Sequence, residues 1–186
     1  MFQYRPTKAI INLNHIYQNL SYAEKVSGKI IIPVVKADAY GHGLNEVVLY
    51  LISKGINYFA VSLVEEALAI RKLNQTVDIL VMGVIDESMF DVLSDNHITF
   101  TIHSNSLKES LLASSLKLKC HIKFDSGMNR LGFKNPMEVI DLMHQIKNKK
   151  SINLEGLYTH FATADSNYDY YLNQLNRFND LVSQLP

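Results

Sequence analysis

Short apolar, β-branched runs alternate along this chain with longer stretches in which apolar residues return every three or four positions. Six runs read as strands: Ile30 to Val35, Tyr58 to Leu63, Asp78 to Met82, Ile98 to Ile102, Cys120 to Phe124 and Leu154 to Thr159. Most are nearly continuous in apolar residues, the pattern of strands covered on both faces. Between them, Leu44 to Lys54 sets Leu44, Val47, Val48, Leu51 and Ile52 on one helical face, with Gly55 at the stop. Helices are predicted likewise over Val64 to Leu73, Asp86 to Leu93, Ser104 to Leu112, Pro136 to Ile146 and Tyr170 to Leu185. A strand-like Ala9 to Leu13 and a helical Asn14 to Val26, closed by Gly28, come before the first main strand.

A strand followed by a helix, repeated, predicts a parallel sheet with crossover helices, hence an α/β fold. An open doubly wound sheet and a (β/α)8 barrel both fit that order. No G-x-G-x-x-G turn follows the first strand, and Lys36, Ser62, Asp125 and His160 recur at the carboxyl ends of different strands, which favours the barrel. A closed barrel takes about 250 residues, whereas this chain has 186. The expectation is a TIM-barrel type fold cut after about six β/α units. No linker or low-complexity segment interrupts it, so residues 1–186 read as one partial barrel domain.

Composition narrows the partners. Hydrophobic residues make up 47% and charged residues 19%, which disfavours disorder. Eighteen basic residues balance eighteen acidic ones, so neither a nucleic acid nor a membrane surface is expected as a partner. The single Cys120 cannot close an internal disulfide, and Met1 to Lys8 lacks the apolar stretch of a secretory signal, so a cytoplasmic location is expected. No apolar run approaches the roughly 20 residues that cross a bilayer.

Three segments carry candidate chemistry. In "IIIPVVKADAYGHG", Ile30 to Gly43, Lys36 ends an apolar strand before a glycine-containing turn. A desolvated lysine loses its proton readily, and the neutral amine condenses with aldehydes. Position alone also admits a lysine that snorkels to solvent. Gly41 and Gly43 allow close backbone approach, and His42 between them reads as a solvated loop residue. The second segment is "HIKFDSGMNRLGF", His121 to Phe133, and the third "EGLYTHFATAD", Glu155 to Asp165. Taken singly, Arg130 reads as a loop surface residue and His160 as a satisfied structural histidine. H-E-x-x-H, C-x-x-C, P-loop and G-x-S-x-G patterns are absent, and no metal site is expected.

In order and spacing the three segments resemble the amino-terminal part of alanine racemases, pyridoxal-phosphate enzymes of fold type III. The resemblance runs from Arg5 to near Leu185, with weaker matches at Tyr58 to Arg71 and Ile79 to Gly83. It implies that Lys36 holds pyridoxal 5'-phosphate as a Schiff base and that Tyr40 contacts the cofactor phosphate. Arg130 would lie beside the phenolic oxygen and the substrate carboxylate, where its fork of donors suits either anion. His160 would stand beside the ring and interact with a catalytic tyrosine. Lys123 matches a lysine that is sometimes carbamylated, whose negative charge fixes the arginine; pairing with Asp125 is the other reading.

The implied reaction interconverts L-alanine and D-alanine, a small-molecule amino acid substrate, for cell-wall peptidoglycan. Proton removal and return on opposite faces needs two acid/base groups. In the family the second is a tyrosine of a carboxyl-terminal β-rich domain, contributed across a homodimer, and the last two barrel strands supply further cofactor contacts. None of the ten tyrosines here stands in a motif matching that base. The chain is therefore expected to be an incomplete fragment, with strand edges left open to pairing or aggregation. A racemase for another amino acid such as serine, or a non-catalytic carrier of pyridoxal phosphate, are the alternatives.

Overall fold

The structure, a computed structural model, describes residues 7–185; Arg5, where the resemblance begins, lies outside them. The chain divides into two units, Met1–Ile79 and Leu80–Pro186, and the division falls within strand β2 (Asp78–Val81). No linker marks that point, which is why the sequence reads as one domain.

In the first unit, α1 (Leu13–Ser27) starts at Asn12, whose side chain accepts from the backbone N–H of Asn14 and His15. The helix stops at Gly28, left-handed with φ 63°. The expected strand at Ala9 to Leu13 does not form: Ile10 is 83% exposed, and the N-cap turns the chain into α1 instead. After α1 the Ile30 to Val35 run is extended, yet it makes only one isolated parallel bridge, Val34 to Ala60. Val35 N–H donates to Ala60 O at 2.9 Å and Ala60 N–H to Pro33 O at 3.0 Å. The expectation of a strand buried on both faces is corrected here, since Val35 is buried but Ile30 is 86% exposed. Pro33 offers no N–H to a ladder, and the turn that follows claims the Val35 carbonyl.

The rest of that unit follows the pattern closely. After a turn labelled α2 (Lys36–Gly41), α3 (Leu44–Ser53) buries Val47, Val48 and Leu51. Strand β1 (Tyr58–Val61) is buried from Phe59 onward, and α4 (Val64–Leu73) buries Val64, Ala67 and Ile70. Helix α3 packs against α1, α2 and α4, so the Lys36 turn rests on a helix that two others hold in place.

The second unit alternates as predicted. A 3-10 turn at Glu87–Met89 leads into α5 (Phe90–Asp95), then come β3 (Thr99–Ile102), α6 (Asn105–Ala113), β4 (Leu118–Lys123), α7 (Pro136–Lys147), β5 (Ile152–Tyr158) and α8 (Tyr168–Ser183). Strands β2, β3, β4 and β5 pair in that order, all parallel. The α/β class therefore holds, with the helix-linked parallel strands of the barrel type.

Strand β4 departs from the continuous apolar pattern. Leu118, Cys120 and Ile122 are buried on one face, while Lys119, His121 and Lys123 occupy the other. A register shift against β5 between Cys120 and His121 sets His121 opposite Gly156. A Cβ at Gly156 would sit 2.7 Å from His121 Cε1, so only glycine leaves room for the ring.

Burial, helped by the Glu155 carboxylate, pushes the Cys120 thiol up to about 12. Because the thiolate is the nucleophile, the folded chain is expected to show no reaction with a disulfide thiol reagent at neutral pH, and one equivalent of reaction after denaturation. Rapid labelling of the folded chain would contradict the burial of β4.

Candidate active site

Lys36 and Tyr40 belong to the first unit; Lys123, Arg130 and His160 belong to the second. Directly after Lys36 the backbone turns left-handed and stays so: φ is 51° at Ala37, 55° at Asp38, 53° at Ala39 and 57° at Tyr40. Each such residue costs about 1–2 kcal/mol relative to the right-handed form, so four in succession need strong local support. Ala39 N–H donates to Val35 O, and Gly43 N–H to Asp38 O, both at 3.0 Å. Leu44 N–H donates to Asp38 Oδ1 at 2.7 Å, and Ala37 N–H to Glu66 Oε1 at 2.6 Å. His42 has a use the sequence did not reveal: its Nδ1 lies 2.7 Å from Ala39 O, donating in the Nδ1–H tautomer. Gly41 at φ 82° and Gly43 at φ 92° carry the chain out into α3.

Strain held at this density is typical of functional sites. What it achieves here is to bring an amine and a phenol together, with Lys36 Nζ 5.8 Å from the centroid of the Tyr40 ring. Tyr40 is itself 59% exposed and open to a ligand.

In the second unit the polar face of β4 meets polar groups of β3 and β5. Thr99 donates to Glu155 Oε2 at 2.7 Å, and Lys119 Nζ lies 2.9 Å from Glu155 Oε1. Thr101 donates to Val81 O at 2.9 Å and sits 3.0 Å from the Tyr158 hydroxyl. The Lys123 ammonium lies 5.4 Å from the centroid of the Tyr158 ring, a cation–π contact. Burial, and secondarily the Arg130 charge, lower the Lys123 pKa, with Asp125 opposing. Burial raises the Tyr158 phenol, opposed by its Thr101 hydrogen bond and by Arg130.

Arg130 stands on a loop closed at its base. Asp125 N–H donates to Phe133 O at 2.8 Å and Phe133 N–H to Lys123 O at 2.9 Å. Asp125 Oδ1 accepts from Gly127 N–H and Asn129 N–H at 3.0 and 2.9 Å. Helix α8 ties this loop to the one bearing His160: the Tyr170 hydroxyl donates to Gly127 O at 2.6 Å. The buried Gln174 donates to His160 O at 3.2 Å and accepts from Ala162 N–H at 2.8 Å. Both Arg130 and His160 are exposed at their loop tips.

The sequence pointed to Lys36, Tyr40, Lys123, Arg130 and His160 but missed Glu66, Thr101, Tyr158, Tyr170 and Gln174, which hold or face them. Glu66 had a readable signal, an acid at the third position of a helix. The others emerge only from strand register and helix docking. In the first unit an amine beside an exposed phenol, and in the second an exposed guanidinium and an exposed imidazole, are each of the chemistry that a phosphorylated aldehyde cofactor takes. Among the described residues, no group of three or more His, Cys, Asp or Glu side chains is placed to hold a metal ion, and no helix is long and apolar enough to cross a membrane.

The fold is that of a parallel β/α protein, with polar side chains following the carboxyl ends of several strands. Comparison with known proteins names the family. The family described as "Alanine racemase, N-terminal domain" matches residues 11–186, and the chain belongs to it. The alanine racemase of Latilactobacillus sakei subsp. sakei (strain 23K) is 36% identical over 98% of this chain and 51% of its own length. The solved alanine racemase from Bacillus anthracis with bound L-Ala-P aligns with TM-score 0.81 at 32% identity, covering 92% of this chain and 46% of that one. A histidine racemase from Leuconostoc mesenteroides subsp. sake NBRC 102480 aligns with TM-score 0.83 at 29% identity, covering 94% and 48%. The chain thus spans about half the length of the relatives it matches.

One buried and two half-buried groups make stability depend on pH with one sign. Desolvation holds the half-buried His103 and His121 below the ordinary 6.5 and the buried Lys123 below 10.5. In each window between the folded and unfolded values the unfolded chain binds more protons, so stability rises with pH there. The expected outcome is a melting temperature that falls as pH drops below about 6.5. Lys123→Met should raise it at neutral pH, by an amount that shrinks as pH approaches the ordinary lysine value. Destabilisation by Lys123→Met at neutral pH would show that the ammonium is well compensated where it sits.

Proposed function

We propose that this chain is the cofactor-bearing half of an alanine racemase, with pyridoxal 5'-phosphate held by Lys36. The observation that carries the reading is the left-handed turn that fixes the Lys36 amine beside the Tyr40 phenol. When bound, the cofactor supplies the electron withdrawal that makes a substrate α-proton removable. Lys36 would serve as the base on the D-alanine face, and Tyr40 would hold the cofactor's phosphate by a hydrogen bond. Arg130 would offer directional N–H donors to the phenolic oxygen and the substrate carboxylate, a role suited to a group that keeps its charge. His160 orients the tyrosine that acts on the opposite face, a group assigned outside residues 1–186 and contributed across a homodimer.

The lowered pKa of Lys123 leaves more of its amine neutral, the form that adds to carbon dioxide, which supports a carbamate there as the partner of Arg130. D-alanine for peptidoglycan, made in the cytoplasm, is the use that fits. The likeness to a histidine racemase favours one second reading, the same chemistry on another amino acid.

The test begins with the 186-residue chain and pyridoxal phosphate. A visible absorbance band that Lys36→Ala abolishes is expected, with no D-alanine formed by the chain alone. Fused to the carboxyl-terminal half of the Latilactobacillus sakei relative, it is expected to racemise L-alanine, and Arg130→Ala in that fusion should lower kcat/KM by about 100-fold or more. A band unaffected by Lys36→Ala would overturn the assignment, and preferential turnover of L-histidine or L-serine would select the second reading.

A further inference from the structure

We propose that Glu66 is the positioning residue for Lys36: its carboxylate stands in for the sheet hydrogen bonds lost where the Lys36 segment parts from β1, and so fixes the turn that carries the amine. The inference rests on Lys36 being the cofactor lysine. Its geometry is independent of that reading.

The two extended segments pair correctly as far as Val35, with Ala60 N–H on Pro33 O and Val35 N–H on Ala60 O. A parallel ladder would continue with Ser62 N–H on Val35 O and Ala37 N–H on Ser62 O. Neither forms, because Val35 O accepts from Ala39 N–H inside the left-handed turn. Two backbone donors are left facing a fork. Glu66 fills it from the first turn of α4: Oε1 accepts from Ala37 N–H at 2.6 Å, and Oε2 from Ser62 N–H at 2.9 Å and Leu63 N–H at 3.0 Å. One half-buried side chain thereby satisfies the strand end, the helix N-cap and the first residue after Lys36. The amino end of α4 also favours a negative charge at that point.

Only a carboxylate meets this demand. All three donors are N–H groups, and a glutamine would turn one of its two terminal atoms into a fourth donor facing them. An aspartate keeps the charge but is one methylene too short to span both segments. Without Glu66 the Ala37 N–H loses its protein partner, and the first residue after Lys36 is held less firmly in its left-handed conformation.

The test uses the complete 186-residue chain, incubated with pyridoxal phosphate at limiting concentration and reduced with borohydride. Reduction converts the C=N bond between aldehyde carbon and lysine nitrogen to a stable secondary amine. Peptide mass spectrometry then gives the ratio of labelled Lys36 to labelled Lys72, an exposed lysine of the same unit. The wild type is expected to label Lys36 preferentially. Glu66→Gln should cut that preference by about tenfold and should speed hydrogen exchange at the Ala37 amide. An undiminished preference in Glu66→Gln, with Ala37 exchange unchanged, would overturn the proposal.

If the wild type itself shows no preference for Lys36, the cofactor reading fails. Ala37 exchange then decides the role of Glu66 alone: acceleration in the variant upholds it and equality rejects it. Should Glu66→Gln not fold, Glu66→Asp gives the same two readouts.

Discussion

Backbone hydrogen-bond supply is the constraint from which the first unit follows. A parallel ladder has one slot for each N–H and C=O, and at Val35 a single carbonyl is claimed by the turn instead of by β1. That substitution frees the Lys36 segment to leave the sheet and to wind against its preferred hand through Tyr40. It also leaves donors that find partners in side chains instead. Asp38, His42 and Glu66 meet the demands of the turn from three directions. An amine on such a support has little freedom to wander.

The second unit solves a different problem, that of placing charge on a buried sheet face. Charged or polar side chains project from alternate positions of β3, β4 and β5, and each meets a partner across the strands: Thr99 with Glu155, Thr101 with Tyr158, Lys123 over the Tyr158 ring. The other face of β4 is wholly apolar. The same strand thus anchors the fold through Cys120 and Ile122 and presents a buried ammonium through Lys123. The loops beyond it are held by α8, which makes that helix part of the site although none of its side chains was marked by a motif.

Much of this was legible in the residues. Helical periodicity placed α3 and α4 almost to the residue, and Pro136 marked the start of α7, because amphipathic spacing and caps are local signals. Ala9 to Leu13 failed because an apolar run predicts a strand only where a neighbour exists to pair with it, and Asn12 caps a helix first. Ile30 to Val35 was extended as read, but its pairing depends on Pro33 and on the turn beyond it, which are facts about the ladder and not about the run. The alternation in β4 was masked because Cys120 and Ile122 are as apolar as a doubly buried strand, and because the aliphatic stem of a lysine hides its charge from a simple pattern. Left-handed alanines carry no sequence signature at all. Gly41 and Gly43 bracket them without announcing them.

The Arg130 loop closes on itself at Lys123, Asp125 and Phe133, and Gly132 makes that closure tight: a Cβ there would stand 2.8 Å from Lys123 O and 3.0 Å from Asp125 N. Its two ends are therefore sewn together independently of what lies between them. Such a loop behaves as a cassette. Length and side chains at the tip are free to change through descent, while the strand below keeps its register and the fold never notices the exchange.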